Sequence, residues 1–188
     1  MAHVVLFHHA HGLTEGVAAF ADELGAHGHQ VTVPDLYDGV TFATVEEGVA
    51  HAEQIGFGEI VARGRAAAEP LPADIAYAGF SLGALPAQAL AQTRAGARAA
   101  LLYHGGEPVD AFGAPWPDGV ALQIHVMDGD EWVEMDVAEE LARTVPGAEL
   151  YVYPGSAHLF TDSSLDDYDH DAAHLVLERT LALLSRLR

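Results

Sequence analysis

The chain has 188 residues, half of them hydrophobic, with a formal net charge of −20 and neither cysteine nor lysine. The apolar fraction predicts a folded domain with its own core, and the missing cysteine excludes disulfides, thiolate metal sites and a cysteine nucleophile. The missing lysine excludes Schiff-base and phosphate-loop chemistry, and the acidic balance argues against nucleic acid as a partner because phosphate binding needs a basic patch.

Six short apolar runs have the composition of buried strands. They occupy residues 4–7, 31–33, 75–78, 99–103, 121–126 and 150–153. Apolar residues at helical spacing lie between or after these runs, over residues 14–26, 44–68 with an interruption around 56–58, 82–94, 135–144 and 171–187. Strands that alternate with helices predict an α/β fold with a mostly parallel sheet of about six strands and helices on both faces.

The rest of the sequence gives no sign of a second unit. The segment 105–119 is rich in glycine and proline and too short to form a cap domain, so we expect a single domain over residues 1–188 with an open site. No run is long and apolar enough to span a membrane, and no signal peptide is recognisable. We therefore expect a cytoplasmic monomer or small homo-oligomer that binds neither membrane nor nucleic acid and needs no cofactor.

The most informative motif is Gly79-Phe80-Ser81-Leu82-Gly83, which follows a predicted strand and precedes a predicted helix. A serine on a tight strand-to-helix turn is the nucleophile elbow of an α/β-hydrolase. The turn exposes the serine hydroxyl, and the flanking glycines leave room for the close approach of strand and helix. The pattern therefore makes Ser81 a candidate nucleophile.

A serine nucleophile needs a histidine base, and the histidine needs an orienting carboxylate. In this fold the order along the chain is serine, acid, histidine. His158 follows the sixth predicted strand and should lie at the carboxyl edge of the sheet, where open α/β sheets place their sites. The acid should follow the fifth strand, where Asp130 is the preferred candidate and Asp128 the alternative.

Two backbone amides should stabilise the oxyanion that forms when the serine attacks a carbonyl. The N–H of Leu82, the residue after the nucleophile, is one expected donor. The other should come from the loop after the first strand, His8-His9-Ala10-His11-Gly12, where Ala10 is the candidate.

These motifs together resemble the dienelactone hydrolase family of α/β-hydrolases. The resemblance covers most of the chain and lies in residues 4–12, in Val33-Pro34-Asp35-Leu36-Tyr37, in the elbow, in Asp130-Glu131-Trp132-Val133 and in the histidine loop over residues 155–160. It implies an enzyme that cleaves a small carboxylic ester, lactone or thioester. The implied triad is Ser81, Asp130 and His158. The implied oxyanion donors are the amides of Ala10 and Leu82.

Three positions depart from the pattern of this family. The best-known members have a cysteine where this chain has Ser81, a glutamate where it has His9, and substrate-binding arginines where Asp162 follows the histidine loop. Arg63 or Arg65 could still reach the site. The serine suits an ordinary ester hydrolase, because a serine activated by histidine needs no thiolate. The sequence therefore does not favour dienelactone itself as the substrate.

The remaining polar and aromatic residues near the predicted site leave alternatives open. His8, His9 and His11 could bind a transition metal and assist hydrolysis, or they could be hydrogen-bonded residues of a loop over the site. We expect no bound metal. The substrate pocket is predicted to include His9, His11, Tyr103, His104 and Trp132. A protein that keeps the fold for binding or sensing without turnover is a further alternative.

Overall fold

A parallel sheet forms the centre of the molecule. The computed structural model describes residues 1–187, and every strand pairs in parallel with its neighbours. The strands are β1 (His3–Phe7), β2 (Gln30–Thr32), β3 (Ile75–Phe80), β4 (Ala99–Tyr103), β5 (Ala121–Met127) and β6 (Glu149–Tyr153). Their order across the sheet is β2-β1-β3-β4-β5-β6. This confirms the parallel sheet predicted from the alternation of strands and helices.

Helices lie in the connections that leave β1, β2, β3 and β5, and one helix follows β6. Within residues 1–187 they are α1 (Glu15–Ala26), α2 (Val45–Ile55), α3 (Phe57–Ala68), α4 (Ala84–Thr93), α5 (Met135–Thr144) and α6 (His170–Arg186). The helical pattern over residues 44–68 is divided into α2 and α3 at Gly56, whose φ of 93° lies in the left-handed region that glycine adopts without strain. A single 3₁₀ turn over Ser81–Gly83 precedes α4.

The two faces of the sheet bury alternate strand residues against different helices. On one face, residues such as Val5 and Leu102 belong to a core with α2, α3, α4 and α5. On the other face, Leu6 and Leu101 belong to a core with α1 and α6. The four central strands, β1, β3, β4 and β5, are buried on both sides, which explains why they read as continuous apolar runs. The predicted helices on both faces are thus confirmed.

The connections that leave the carboxyl ends of the strands carry the candidate site residues. β1, β3, β5 and β6 are parallel, so the segments that follow them meet at one edge of the sheet. In the described residues the connection between β4 and β5 holds turns and bends but no helix, so no cap domain is inserted there. None of the helices within residues 1–187 combines the length and the apolar character needed to cross a membrane.

Candidate active site

Ser81 stands at the sharp turn between β3 and α4. Its φ of 50° lies in the left-handed region, a conformation that costs on the order of 1–3 kcal/mol for a residue other than glycine. Close backbone approaches explain the two glycines of the motif. A Cβ on Gly79 would lie 2.0 Å from the Gly83 carbonyl oxygen, and a Cβ on Gly83 would lie 2.4 Å from the Phe7 carbonyl oxygen. The turn is therefore packed directly against the end of β1.

The hydroxyl of Ser81 begins a chain of two short hydrogen bonds. Ser81 Oγ lies 2.7 Å from His158 Nε2, and His158 Nδ1 lies 2.7 Å from Asp130 Oδ2. An ionised carboxylate only accepts hydrogen bonds, so Nδ1 carries the ring proton and Nε2 accepts from the serine hydroxyl. The structure thus brings together the serine, histidine and acid that the sequence singled out.

The turn after β5 determines which carboxylate faces the imidazole. Asp130 is buried, and its second oxygen, Oδ1, accepts the backbone N–H of Trp132 at 2.9 Å. Asp128 is exposed, and its Oδ1 accepts the backbone N–H of Gly155 at 3.1 Å. Asp130 therefore contacts His158, whereas Asp128 links the turn after β5 to Gly155 at the start of the histidine loop.

The loop after β1 carries a buried backbone N–H with no partner in the described part of the chain. Ala10 is 1% exposed, and its N–H donates to no group within residues 1–187. Helix α2 packs closely against this loop, because a Cβ on Gly48 would lie 1.9 Å from the Ala10 carbonyl oxygen. Leu82 lies in the first turn after Ser81, where helical N–H groups lack intrahelical partners. Both amides belong to segments that can present N–H groups to an anion.

The histidines that flank this amide form hydrogen bonds within the scaffold. His8 accepts the N–H of Leu36 at Nε2 over 2.9 Å and donates from Nδ1 to the His9 carbonyl oxygen over 2.8 Å. His11 donates from Nδ1 to the Phe42 carbonyl oxygen at 3.0 Å. Among residues 1–187, no three or more His, Asp or Glu side chains are arranged to hold a metal ion. These bonds favour a hydrogen-bonded loop over a metal centre.

His9 pairs with Asp162, which follows the histidine loop. Its Nε2 lies 2.7 Å from Asp162 Oδ2, and both side chains are buried. Asp162 also accepts the Thr14 hydroxyl at 2.5 Å and the N–H and hydroxyl of Ser164 at 2.8 and 2.6 Å. Burial alone would raise the pKa of Asp162, but the hydrogen bonds from His9, Ser164 and Thr14 hold it well below its usual range. Burial lowers the pKa of His9 against the opposing effect of Asp162, so a neutral imidazole donates to a carboxylate.

Comparison with protein families places these features in a known group. The family model described as "Dienelactone hydrolase family" matches residues 1–187. The chain belongs to this family. The resemblance predicted from the sequence motifs is therefore confirmed. A comparison with curated proteins found no match.

Solved structures share the fold of this family member over nearly its whole length. A dienelactone hydrolase-like promiscuous phosphotriesterase from metagenomic libraries has a TM-score of 0.81 at 22% identity, covering 100% of this chain and 87% of the other. A dienelactone hydrolase from Anabaena variabilis gives 0.72 at 17% identity, covering 100% and 88%. A cold-adapted esterase from an Arctic intertidal metagenomic library gives 0.59 at 20% identity, covering 100% and 83%. These likenesses show the α/β-hydrolase fold, and membership of the family supports a hydrolase.

Trp132, one of the predicted pocket residues, lies on an open surface beside His158. It is 48% exposed, and its ring centre lies 6.0 Å from that of His158. A cleft of about 270 Å³ at this point is lined by Gly129, Glu131, Trp132, Ser156, His158 and Asp167. Neither Arg63 nor Arg65 lines the cleft; Arg63 instead donates to the Leu36 carbonyl oxygen at 2.7 Å.

The structure places the other predicted pocket residues, Tyr103, His104, His9 and His11, in buried positions. Tyr103 is fully buried on the sheet face covered by α1 and α6, with its hydroxyl 3.0 Å from that of Thr180. The alternation of side chains along β4 directs it there. His104 is 1% exposed, with its ring 6.0 Å from that of His158, so it packs behind the imidazole rather than lining the cleft. His9 and His11 are likewise buried in the loop after β1.

Two contributions to the site are absent from the sequence reasoning. His104 has a left-handed φ of 63°, and its Nδ1 is the buried side-chain polar atom left without a partner among residues 1–187. Burial, reinforced by the nearby His158, lowers the pKa of His104 well below its ordinary value, so its ring is neutral. The sequence draws attention to Asp162 only because the best-known members of the family have a substrate-binding arginine at this place. The pairing of Asp162 with His9 has no local signal, because the two residues are 153 positions apart.

Proposed function

We propose that this protein is a serine hydrolase that cleaves a small carboxylic ester, lactone or thioester through an acyl-enzyme. The observation that carries the proposal is the hydrogen-bond chain from Ser81 through His158 to Asp130, with both links at 2.7 Å. A serine hydroxyl in this arrangement can pass its proton to the imidazole as it attacks a carbonyl carbon. Membership of the dienelactone hydrolase family supports a hydrolytic reaction.

In the acylation half of the reaction, Ser81 Oγ forms a bond to the carbonyl carbon and its proton moves to His158 Nε2. Asp130 remains ionised, keeps the proton of Nδ1 in place and stabilises the imidazolium. The tetrahedral intermediate then collapses, and the bond to the leaving group breaks. The proton held on Nε2 moves to the leaving group, which makes the histidine the base of one step and the acid of the next.

In the deacylation half, a water molecule takes the place of the leaving group. His158 accepts a proton from this water as its oxygen attacks the acyl carbon, and a second tetrahedral intermediate forms. When this intermediate collapses, Ser81 Oγ leaves with the proton from Nε2. The carboxylic acid product and the starting form of the enzyme result.

The backbone amides of Ala10 and Leu82 are the proposed donors to the oxyanion of both intermediates. The buried N–H of Ala10 has no partner within residues 1–187, and an unpaired buried N–H is costly unless a ligand accepts from it. The first-turn amide of Leu82 adds the second donor at a helix N-terminus. Each donor should lower the barrier by about 3 kcal/mol.

The cleft beside His158 supports a small substrate. Its volume is about 270 Å³, and its lining includes the carboxylates of Glu131 and Asp167 but no arginine. A formal net charge of −20 adds long-range repulsion of anions. Neutral esters are therefore the preferred class, and esters of dicarboxylic acids with a free carboxylate are disfavoured.

The proposal is tested by steady-state hydrolysis of p-nitrophenyl acetate with Ser81→Ala. The matched control is Ser185→Ala, which removes an exposed hydroxyl on α6. We expect Ser81→Ala to lose at least roughly 10³-fold in kcat with an unchanged circular dichroism spectrum, and Ser185→Ala to keep the wild-type rate. Turnover that persists in Ser81→Ala would contradict the mechanism. Absence of turnover in the wild-type protein on a panel of esters, lactones and thioesters would favour a binding protein instead.

A further inference from the structure

We infer that the buried pair of His9 and Asp162 positions the Ala10 amide relative to His158, so that the oxyanion donor and the base keep a fixed separation. The inference rests on the proposed function. His9 immediately precedes Ala10, and Asp162 lies in the same connection as His158. Both side chains are buried and hydrogen-bonded within the scaffold, and His9 is joined to Ala10 through the backbone. We therefore assign them as positioning residues and not as catalytic residues.

His9 is bound at both ring nitrogens, once to the opposite connection and once to its own loop. Nε2–H donates to Asp162 Oδ2 at 2.7 Å, and Nδ1 accepts the backbone N–H of His11 at 3.3 Å. The His9 carbonyl oxygen accepts the N–H of Gly12 at 3.0 Å, which closes a tight turn. Ala10 is thus held between two fixed neighbours while its own N–H stays unpaired.

Asp162 joins three parts of the fold through one carboxylate. Oδ2 accepts from His9 in the loop after β1 and from Thr14 at the start of α1. Oδ1 accepts from the N–H and hydroxyl of Ser164 in the connection to α6. A Cβ on Gly16 would lie 1.7 Å from Oδ1. Only a glycine at position 16 therefore lets α1 approach the carboxylate this closely. Because both oxygens of the Asp162 carboxylate are hydrogen-bonded, the carboxylate is held in place. It therefore fixes the position of the His9 imidazole that donates to it.

The pair links the two connections that carry opposite parts of the reaction. One holds the base, His158, and the other holds the oxyanion donor, Ala10. Loss of the bond would let the two connections shift relative to each other, and a misplacement of about 1 Å costs about 10²-fold in rate. A purely structural role would lower the free energy of unfolding and leave the rate of the folded enzyme unchanged. The two roles therefore predict different kinetics.

The experiment compares full-length variants with p-nitrophenyl acetate as substrate. His9→Leu removes the donor to Asp162, and His9→Gln restores an N–H near the position of Nε2. The matched control is His125→Leu, which removes another buried imidazole with two hydrogen bonds, in this case to Tyr153 and Gln123. The quantities measured are kcat, KM and the inhibition constant of a trifluoromethyl ketone, which reacts with a serine to give a tetrahedral oxyanion. All are measured where circular dichroism shows a folded protein.

We expect His9→Leu to lower kcat roughly 10²-fold with KM changed by less than about threefold. The trifluoromethyl ketone should lose affinity in parallel, because its oxyanion needs the same amide. His9→Gln should regain at least about tenfold of the lost kcat, and His125→Leu should be less stable but keep the wild-type kcat. Recovery by glutamine would show that the hydrogen bond, rather than the bulk of the ring, sets the rate.

Several results would overturn the inference. These are a folded His9→Leu variant with the wild-type kcat, a loss confined to KM, and an equal loss of kcat in His125→Leu. Asp162→Ala decides the question if His9→Leu does not fold, because it removes both acceptor oxygens that face the His9 N–H, and a folded variant with the wild-type kcat would refute the role. Ser81→Ala is assayed alongside. Turnover that ignores Ser81 removes both proposals, whereas Ser81-dependent turnover that ignores His9 removes only the positioning role.

Discussion

The addition of one methyl group at Gly83 should disturb the geometry of the elbow. The φ of −65° at Gly83 is accessible to any residue, so alanine would not strain the backbone there. The added Cβ would nevertheless lie 2.4 Å from the Phe7 carbonyl oxygen and 2.7 Å from that of His8. Both are backbone atoms, which cannot rotate away as a flexible side chain would. They also lead directly into the loop that carries Ala10.

Relief of this contact requires the elbow and the end of β1 to move apart. The separation from the Phe7 oxygen must increase from 2.4 Å to at least 3.0 Å and more comfortably to 3.4 Å, which is a displacement of about 0.6–1.0 Å. Overpacking of this kind costs about 1–3 kcal/mol of stability. A displacement approaching 1 Å between the nucleophile and an oxyanion donor costs about 10²-fold in rate.

The assay compares Gly83→Ala with Gly25→Ala, whose Cβ in α1 would meet nothing within 4 Å. We expect Gly83→Ala to lose roughly 10²-fold in kcat for p-nitrophenyl acetate and about 1–3 kcal/mol in urea unfolding. Gly25→Ala should keep kcat and gain up to about 1 kcal/mol, because alanine is the better helix former. A folded Gly83→Ala protein whose kcat stays within about twofold of the wild type would refute this reasoning.

Three further predictions concern the acid, the loop histidines and the buried imidazoles. Asp130→Asn should lower kcat roughly 10³–10⁴-fold because the imidazole loses its orienting acceptor, whereas Asp128→Asn, which only fastens a turn, should change the same rate by less than about tenfold. Dialysis against EDTA should leave kcat unchanged, because both ring nitrogens of His8 and His9 and the Nδ1 of His11 are hydrogen-bonded within the protein. Acidification from about pH 7 to about pH 5 should lower the free energy of unfolding, because burial lowers the pKa of His8 to about 4 and that of His125 to about 3.

Proton uptake by the unfolded chain determines the direction of this pH dependence. Between the unfolded pKa of about 6.5 and the lowered folded values, the unfolded chain binds more protons than the folded one, so stability falls as the pH falls. Each of these two imidazoles accounts for a loss on the order of 2 kcal/mol at about pH 5. Urea midpoints across this range measure the effect, and His125→Gln should flatten it. A free energy of unfolding that does not change with pH would contradict the last prediction. A loss of kcat after EDTA that zinc restores, or equal effects of Asp130→Asn and Asp128→Asn on kcat, would contradict the other two.

The sequence alone could predict the sheet and the place of the elbow. Continuous apolar runs separated by helical patterns specify a parallel sheet covered on both faces, and such a sheet collects the carboxyl ends of its strands at one edge. Ser81 and His158 each follow a strand, so their side chains could be expected to meet although they are 77 positions apart. The structure brings their side chains together at that edge, and their catalytic roles remain predictions.

Other features depend on contacts that no local pattern reveals. Asp128 and Asp130 share one turn, and only the backbone N–H groups that each accepts determine which of them faces the imidazole. In a strand buried on both sides, both faces are apolar, so the sequence of β4 does not indicate that Tyr103 points away from the site. The bond between His9 and Asp162 joins two connections that are adjacent only in the folded chain.

The most direct test of the proposed mechanism is covalent labelling with a fluorophosphonate, followed by peptide mapping by mass spectrometry. We expect one phosphonyl adduct per chain, located on Ser81, and its loss in the folded His158→Ala variant because the hydroxyl then has no base to accept its proton. No adduct on the wild-type protein, an adduct on another residue, or undiminished labelling of Ser81 without the imidazole would contradict the claim that these groups form a working triad.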